Sequence, residues 1–493
     1  MSNTLTKRLL SWLQRSSTRQ LWLFLFVIVF FIFLRVYRLP STLFFFNDMG
    51  RDLLVLWESW EHKKPFLLGP QNSALPFNQP ALYFYSLYPA FLLTGMSLFT
   101  HTVTFWFIAV FVLLGLAKWL WSWKPAWWVF VATLWFMAWQ PEYIIQNRFI
   151  WNPSFVAPFM LLAVFAYWKA RTFAENSPPW KWIWLWAIGL GTSFAFSYSV
   201  LPTMLAFVLL ILWHYRWQSW RFALALIGVS VWWQLPTIAF ELRYSFQLTK
   251  AVLWGDRPAQ VAIGWWDKLS ALQDMFWHTS VPSVEWVASC VLLALLGANI
   301  WLIWKNRPQV RDEVFILSGL LTLVTLVITL LLPVGVQSHY VFGLFTLVFV
   351  MIASLRPRLL LIALSATSLM WLQPTILASY WQKPWRTVQD LQRCGEIVCS
   401  QIHQPVFVST ESSFHPFHNG PEWRYIFARS GCSVKAIETE NGLAQTMLVV
   451  ADNGVYEHGK TAYSELSLFG GQSATESTVI GCPADVQVHV LEK

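Results

Sequence analysis

Charge is scarce in this chain. Asp, Glu, Lys and Arg make up only 12% of its 493 residues against 56% hydrophobic ones, and mean hydropathy is +0.48. That composition excludes a soluble globular protein of this size and leaves a multi-span membrane protein. Phosphate-cradling glycine loops are missing too: neither a P-loop nor a dinucleotide fingerprint occurs, which argues against a bound soluble nucleotide. No small-residue cleavage site follows the first apolar run, Leu21 to Leu34, which comes after Lys7, Arg8, Arg15 and Arg19. The run reads as a retained signal anchor. Cysteine is sparse, with Cys290 in an apolar segment and Cys394, Cys399, Cys432 and Cys482 near the end, at spacings that match no zinc site.

Tryptophan and long apolar stretches are abundant instead. Trp121, Trp123, Trp127, Trp128, Trp180, Trp182, Trp213, Trp217 and Trp220 mark segment ends, where indole rings favour the headgroup level. Apolar segments fall at about 20–37, 81–99, 102–121, 126–140, 154–170, 182–199, 201–215, 220–240, 284–304, 313–333, 338–355 and 358–378. If all twelve cross, with the N-terminus cytoplasmic, the bases that follow 81–99 fall on the wrong side. Demoting 81–99, which holds Pro89 and Gly95 and no charge, puts Lys118/Lys124, Lys169/Arg171/Lys181, Arg216/Arg221, Lys305/Arg307/Arg311 and Arg356/Arg358 inside together. Eleven spans then remain, 81–99 becomes a re-entrant or surface-lying helix, and the C-terminus is outside. The alternative is a twelfth span with a misread elsewhere.

The expected fold is therefore a polytopic α-helical membrane protein of about eleven spans plus juxtamembrane helices, residues 1–382, followed by a small soluble α/β domain, residues 383–493. The first outward loop is residues 38–101, with further outward segments at Pro141 to Pro153, Glu241 to Pro282 and Pro333 to Tyr340. The basic pI belongs to the membrane part, since the tail is net acidic, so nucleic acid is not an expected partner. In the tail the pattern predicts a helix over TVQDLQRCGEIVCSQI, a strand at PVFVST, a helix near Glu422 to Arg429, and strands near Val434, Met447 to Val450 and Val486 to Val490. Its four cysteines allow three pairings, of which Cys432 with Cys482 is favoured, because Cys394 and Cys399 sit five apart on one helix; unpaired thiols are the alternative.

The densest acids and bases of the membrane part lie between Phe44 and Tyr85. Met49, Leu53, Leu56, Trp57 and Trp60 form one face of a short amphipathic helix, expected to lie flat in the interface, and Lys63, Lys64 and Pro65 end it. Asp48 at its start can accept or orient the proton of a nucleophilic hydroxyl; Asn47 or Asp48 can equally be no more than a helix cap. The second outward loop carries Glu142, Arg148 and Asn152, and the third begins with Glu241, Arg243 and Lys250. Arg148 or Arg243 suits an anionic headgroup, either as substrate or as a plain membrane anchor. His339 and Tyr340 open a late segment, where a belt tyrosine is the simpler reading.

These loops resemble the C-type (GT-C) glycosyltransferase superfamily, in particular its bacterial protein-mannosyltransferase-like and aminoarabinose-transferase-like group. NDMGRD, with Asp48, Arg51 and Asp52, resembles the group's first-loop acidic motif; NQPALYFY resembles its later polar-Pro motif; NRFIWNP and FELRYSF resemble loops of one bacterial branch. The resemblance implies a polyprenyl-phosphate-linked hexose or pentose as donor, an acceptor glycan, lipid or protein on the extracytoplasmic side of the bacterial inner membrane, inversion at the anomeric carbon, and Asp48 as the catalytic carboxylate. Met49 and Asn78-Gln79 depart from the pattern. They disfavour the divalent metal that some members bind and leave the donor phosphate to Arg148, Arg243 or Lys64. Rival readings are a lipid-linked-sugar flippase or transporter, which predicts ionisable groups inside the spans that are nearly absent here, and a polysaccharide polymerase or ligase.

Overall fold

The computed structural model describes residues 16–71, 78–173, 178–254, 263–278, 282–306, 309–333, 335–413, 418–440, 442–470 and 473–493. Lys7, Arg8 and Arg15 lie outside them, as do the side chains of Arg19 and His339. Each of the eleven segments expected to cross is helical: Ser16–Val36, Thr100–Leu120, Lys124–Trp139, Val156–Arg171, Trp180–Phe196, Leu201–Tyr215, Ser219–Arg243, Pro282–Lys305, Val310–Leu331, Phe342–Ala353 and Pro357–Trp371. Among the described residues, five stretches are each long and apolar enough to cross a bilayer alone, and a sixth is if Pro357–Trp371 and Pro374–Tyr380, bent by 66°, count as one.

Leu82–Leu93 is a helix of 12 residues with Pro89 inside it. At about 1.5 Å per residue it spans about 18 Å, short of a hydrocarbon core of about 30 Å; Phe342–Ala353 is equally short, so it is Pro89 and the placement of the bases, not length alone, that sets Leu82–Leu93 apart. The Asn47–His62 helix, hereafter the loop helix, forms where expected and is stopped by Lys63 in the left-handed conformation at φ 52°. Its apolar face does not lie open to lipid along its length: Met49, Leu53 and Leu56 are fully buried in protein, and only Trp60 of that face is largely exposed.

The tail forms a five-stranded sheet in the order β2-β1-β3-β5-β4, with β1 Val406–Ser412, β2 Val434–Lys435, β3 Thr446–Asp452, β4 Thr475–Gly481 and β5 Gln487–Glu492. β1 runs parallel to β2 and β3, while β5 is antiparallel to β3 and β4. Strand alternation sorts its side chains onto two faces. Val406, Val408, Leu448 and Val450 pack with the Val388–Gln401 helix and with Trp423, Ile426 and Phe427 of the Pro421–Arg429 helix. Phe407, Met447 and Val449 pack with Leu466 and Phe469 on the other face.

The expected Cys432–Cys482 pairing is corrected. Cys394 bonds Cys482, and Cys399 bonds Cys432, with Cα separations of 5.0 and 5.2 Å. Five residues along a helix turn the two thiols to different sides, so each meets a different partner and they need not meet each other. The bridges close loops of 88 and 33 residues, which in the chain-entropy view is worth about 5 and about 4 kcal/mol. Reduction of the full-length protein should lower its melting transition, followed by scanning fluorimetry with and without dithiothreitol; identical traces contradict the pairing.

Candidate functional site

The loop helix begins at Asn47, but its cap is Phe46, in extended backbone, and no side chain caps it. Asp48 is thus released from the capping role that the sequence left open. Its carboxylate accepts instead from Arg51 Nη1 at 2.8 Å, three residues on. Arg51 also donates from Nε and Nη2 to Asp52 Oδ1, at 3.0 and 2.8 Å. Asp52 is fully buried, with His101 Nε2 at 3.7 Å from its second oxygen.

One guanidinium therefore joins two carboxylates whose surroundings pull them apart. Burial pushes the Asp48 carboxyl above the usual carboxylate range, Arg51 pulls it part of the way back, and the neighbouring Asp52 and Glu422 add to the rise. Asp52 is buried more deeply, yet Arg51 and His101 outweigh that burial and hold it below the usual range. Burial opposes the charge on Arg51, but Asp52 and Asp48 prevail and keep its proton bound. Asp52 is then the permanent anion that anchors Arg51, and Asp48, a quarter open to solvent, is the group able to take up a proton.

Asp48 and Arg51 face a cavity of about 280 Å³ lined also by Gln71, Gln79, Trp151, Asn152, Pro153, Ser197, Tyr198, Ser199, Gln337 and Tyr340. Five separated chain segments build it. Gln71 and Gln79 are placed by a short antiparallel pairing in which Gly69 N donates to Gln79 O and Gln79 N donates to Pro70 O. A Cβ on Gly69 would lie 2.2 Å from the Pro80 carbonyl oxygen, so only glycine allows this approach. Asn152 donates to Gln79 Oε1 at 3.0 Å and to Phe196 O at 2.8 Å, tying two walls together. Gln234 donates to the Tyr198 hydroxyl at 3.0 Å.

Of the residues singled out from sequence, Asp48, Arg51, Asn152 and Tyr340 line this cavity and Asp52 stands directly behind it. His339 belongs to the same turn, Ser338–Tyr340, with its side chain outside the description. Arg148 and Arg243, expected from sequence to hold a donor phosphate in one pocket with Asp48, do not line its cavity. Arg148 is buried and donates to the carbonyls of Leu34, Arg35 and Tyr37 and to the Thr42 hydroxyl. It closes the C-terminal end of the first long helix, whose last carbonyls have no helical partners; burial brings its pKa down to about 10. Arg243 ends the Ser219–Arg243 helix in solvent, over the Tyr244 ring. Lys64 lines two other clefts, one with Lys63, Trp60, Tyr85 and Tyr88 and one against the tail. Glu142 is buried behind the rim, accepting from Gln146, which in turn accepts from Trp151 Nε1; burial pushes its carboxyl up.

Arg148→Met should therefore act on stability and not on chemistry. Carbonyls left without a donor cost about 1–3 kcal/mol each when buried, so the melting temperature falls while the turnover of the folded fraction holds; a selective loss of turnover at unchanged stability contradicts this assignment.

Gln79, Ser197, Tyr198, Ser199 and Gln337 were not singled out as site residues. They are neutral and sit in junctions between apolar segments; the visible hint was polar residues where one apolar run stops and the next starts, as in Ser197-Tyr198-Ser199 before Pro202. The acids at the cavity wall are engaged with a base. Arg51 bridges the Asp48 and Asp52 carboxylates, and among the described residues no group of three or more His, Cys, Asp or Glu is arranged to hold a metal ion.

No protein-family model and no curated protein matches the chain. Solved structures do: ArnT from Cupriavidus metallidurans bound to undecaprenyl phosphate superposes with a TM-score of 0.60 at 11% identity, over 95% of this chain and 98% of that one. This is the GT-C fold. The apo state of the same ArnT matches at TM-score 0.59 and 12% identity over 95% and 97% of the two chains, so the GT-C likeness takes in the tail domain as well as the helices. At such identity the GT-C architecture is shared while the side chains are this chain's own, and Asp48, Arg51 and Asp52 stand on the geometry given above.

Proposed function

We propose that this protein transfers a sugar from a polyprenyl-phosphate carrier to an acceptor on the extracytoplasmic face of a bacterial inner membrane, with inversion. The observation that carries this is the Asp48–Arg51–Asp52 arrangement at the wall of a polar cavity in a GT-C fold; an ArnT of that fold is bound to undecaprenyl phosphate. An acceptor oxygen attacks the anomeric carbon, the bond from that carbon to the phosphate oxygen breaks, and the acceptor's proton passes to Asp48. The leaving group is a phosphate, already a stabilised anion, so the chemistry asks mainly for an oriented acceptor, a base and a cation where charge develops. Arg51 is the cation that lines this cavity, and Asp52 fixes it.

The five segments that line the cavity all fall at segment ends which the placement of basic residues assigns to one side of the membrane. Residues 38–101 and 383–493 then share the extracytoplasmic side. The test is transfer by the purified protein in vesicles, given a panel of radiolabelled polyprenyl-phosphate hexoses and pentoses with envelope lipids and glycans as acceptors. Release of polyprenyl phosphate with a labelled product is expected. Movement of the labelled lipid across the vesicle membrane without turnover would replace this reading with transport.

A further inference from the structure

We propose that the tail domain is a working part of the candidate site: its Pro421–Arg429 helix, through Glu422, seats the loop helix and thereby fixes the direction in which Asp48 points.

The two helices touch with no side chain between them. A Cβ added to Gly50 would lie 2.2 Å from Glu422 Cα and 2.4 Å from its Cβ, so the loop helix can lie this close only because position 50 is glycine. Residues two apart on a helix point about 200° from each other. Gly50 therefore meets the tail on the side of the helix away from Asp48, which looks into the cavity. Any shift of the tail helix is passed to Asp48 through a rigid turn of backbone.

Glu422 is itself held. It is fully buried, with Arg386 Nη2 at 4.0 Å. That guanidinium is locked onto Asp452, at the end of β3, by contacts of 2.7 and 2.9 Å. Trp385 and Trp423 each donate an indole N–H to Asp452 at 3.2 Å. The Trp385 ring packs on Phe44 at 4.7 Å, and Phe44 stacks on Phe46, the residue that caps the loop helix. Further along, Tyr425 donates to the Met96 carbonyl and its ring meets Trp57 and Phe91. The segment Phe44 to Gly50 is thus gripped by a buried ionic cluster of the tail on the side opposite the cavity. None of the cluster's residues lines the cavity; Glu422 reaches Asp48 only through its charge, and what the cluster as a whole supplies is a fixed seat for the helix.

Glu422 is on this account a positioning residue. That the group it positions is the reacting carboxylate rests on the function proposed above, so the test has one arm independent of turnover. In the full-length protein with Cys290→Ser, an Asp48→Cys variant is labelled with a soluble maleimide. Adding Gly50→Ala, which puts a Cβ into the contact, or Glu422→Ala, which keeps Cα and Cβ at Gly50 but removes the buried carboxylate beside Arg386 that holds them in place, should change the labelling rate by about tenfold. Glu422→Gln, which keeps the shape, should stay within about twofold of the parent, as should Lys460→Ala at an exposed ion pair remote from the seat. In the second arm, with Asp48 intact and whichever polyprenyl-phosphate sugar the wild type turns over, Glu422→Ala should lower kcat with KM unchanged, and Glu422→Gln should restore it. Unchanged labelling in both alanine variants overturns the proposal, as does a loss confined to KM. If the wild type turns over no such sugar, the functional reading fails while the labelling arm still decides the seat.

Discussion

Asp48→Asn should reduce sugar transfer by about 10²–10⁴-fold, the range a positioned general base contributes, with expression and melting temperature close to wild type. The substitution keeps size and shape and removes only the capacity to hold a proton. Asp48 does not cap its helix, so no backbone amide loses a partner; it is partly open to solvent, so no buried charge is stranded. The ion pair with Arg51 is lost, but Arg51 keeps its contacts to Asp52. A structural role predicts lower stability, whereas a chemical role predicts lower kcat at equal stability. Initial rates with a saturating labelled donor, measured beside a thermal melt, separate the two.

Arg51→Gln should cost about 10²–10³-fold in kcat, the scale for losing one preorganised charge at a developing anion, and should also move the pH profile. The sign follows from the surroundings of Asp48. In the proposed mechanism transfer needs the carboxylate, so the rate is expected to rise with pH through the Asp48 pKa. That pKa lies above the ordinary 3.8 because burial, Asp52 and Glu422 raise it more than Arg51 lowers it. With Arg51 gone the lowering influence is gone, and the acid limb of kcat/KM moves to higher pH. A limb that moves to lower pH, or stays in place, contradicts the roles given to this pair. Because Arg51 is also the partner that keeps fully buried Asp52 ionised, the variant should be less stable as well, and its rates are to be compared per folded molecule.

The helices were legible from composition and charge because a bilayer leaves the chain few options: every backbone group must be satisfied locally, and bases gather on one side. That is why each of the eleven segments is a helix and why the 81–99 stretch holds only a short, proline-containing one. Four of the five tail strands were legible, while β4 was not, since most of its side chains are exposed and carry no alternating apolar pattern; the helix over Val388–Gln401 was legible by the spacing of Val388, Leu391, Ile397 and Val398, and Thr387 and Asp390 bond each other's backbone N–H groups across its first turn. Pairing between distant segments was not legible. Cys394 and Cys399 look alike in sequence, and only the facing of their helix against Cys482 and Cys432 separates them. Arg148 was mistaken for a cavity residue for a similar reason. An arginine in an aromatic loop suits an anionic ligand, and nothing in its neighbours in sequence shows that carbonyls from residues 34 to 37 will claim it. Asp48 was legible as an acid at the start of the loop helix and Arg51 through the resemblance of NDMGRD; the ion pair between them follows from their spacing of three on one helix.

A cryo-EM map of the protein with undecaprenyl phosphate tests the central claim most directly. The account predicts the phosphate in the cavity of Asp48, within hydrogen-bond reach of Arg51, about 3 Å from its guanidinium. A phosphate seated in the cleft of Lys63 and Lys64, with the Asp48 cavity empty of lipid, would contradict it.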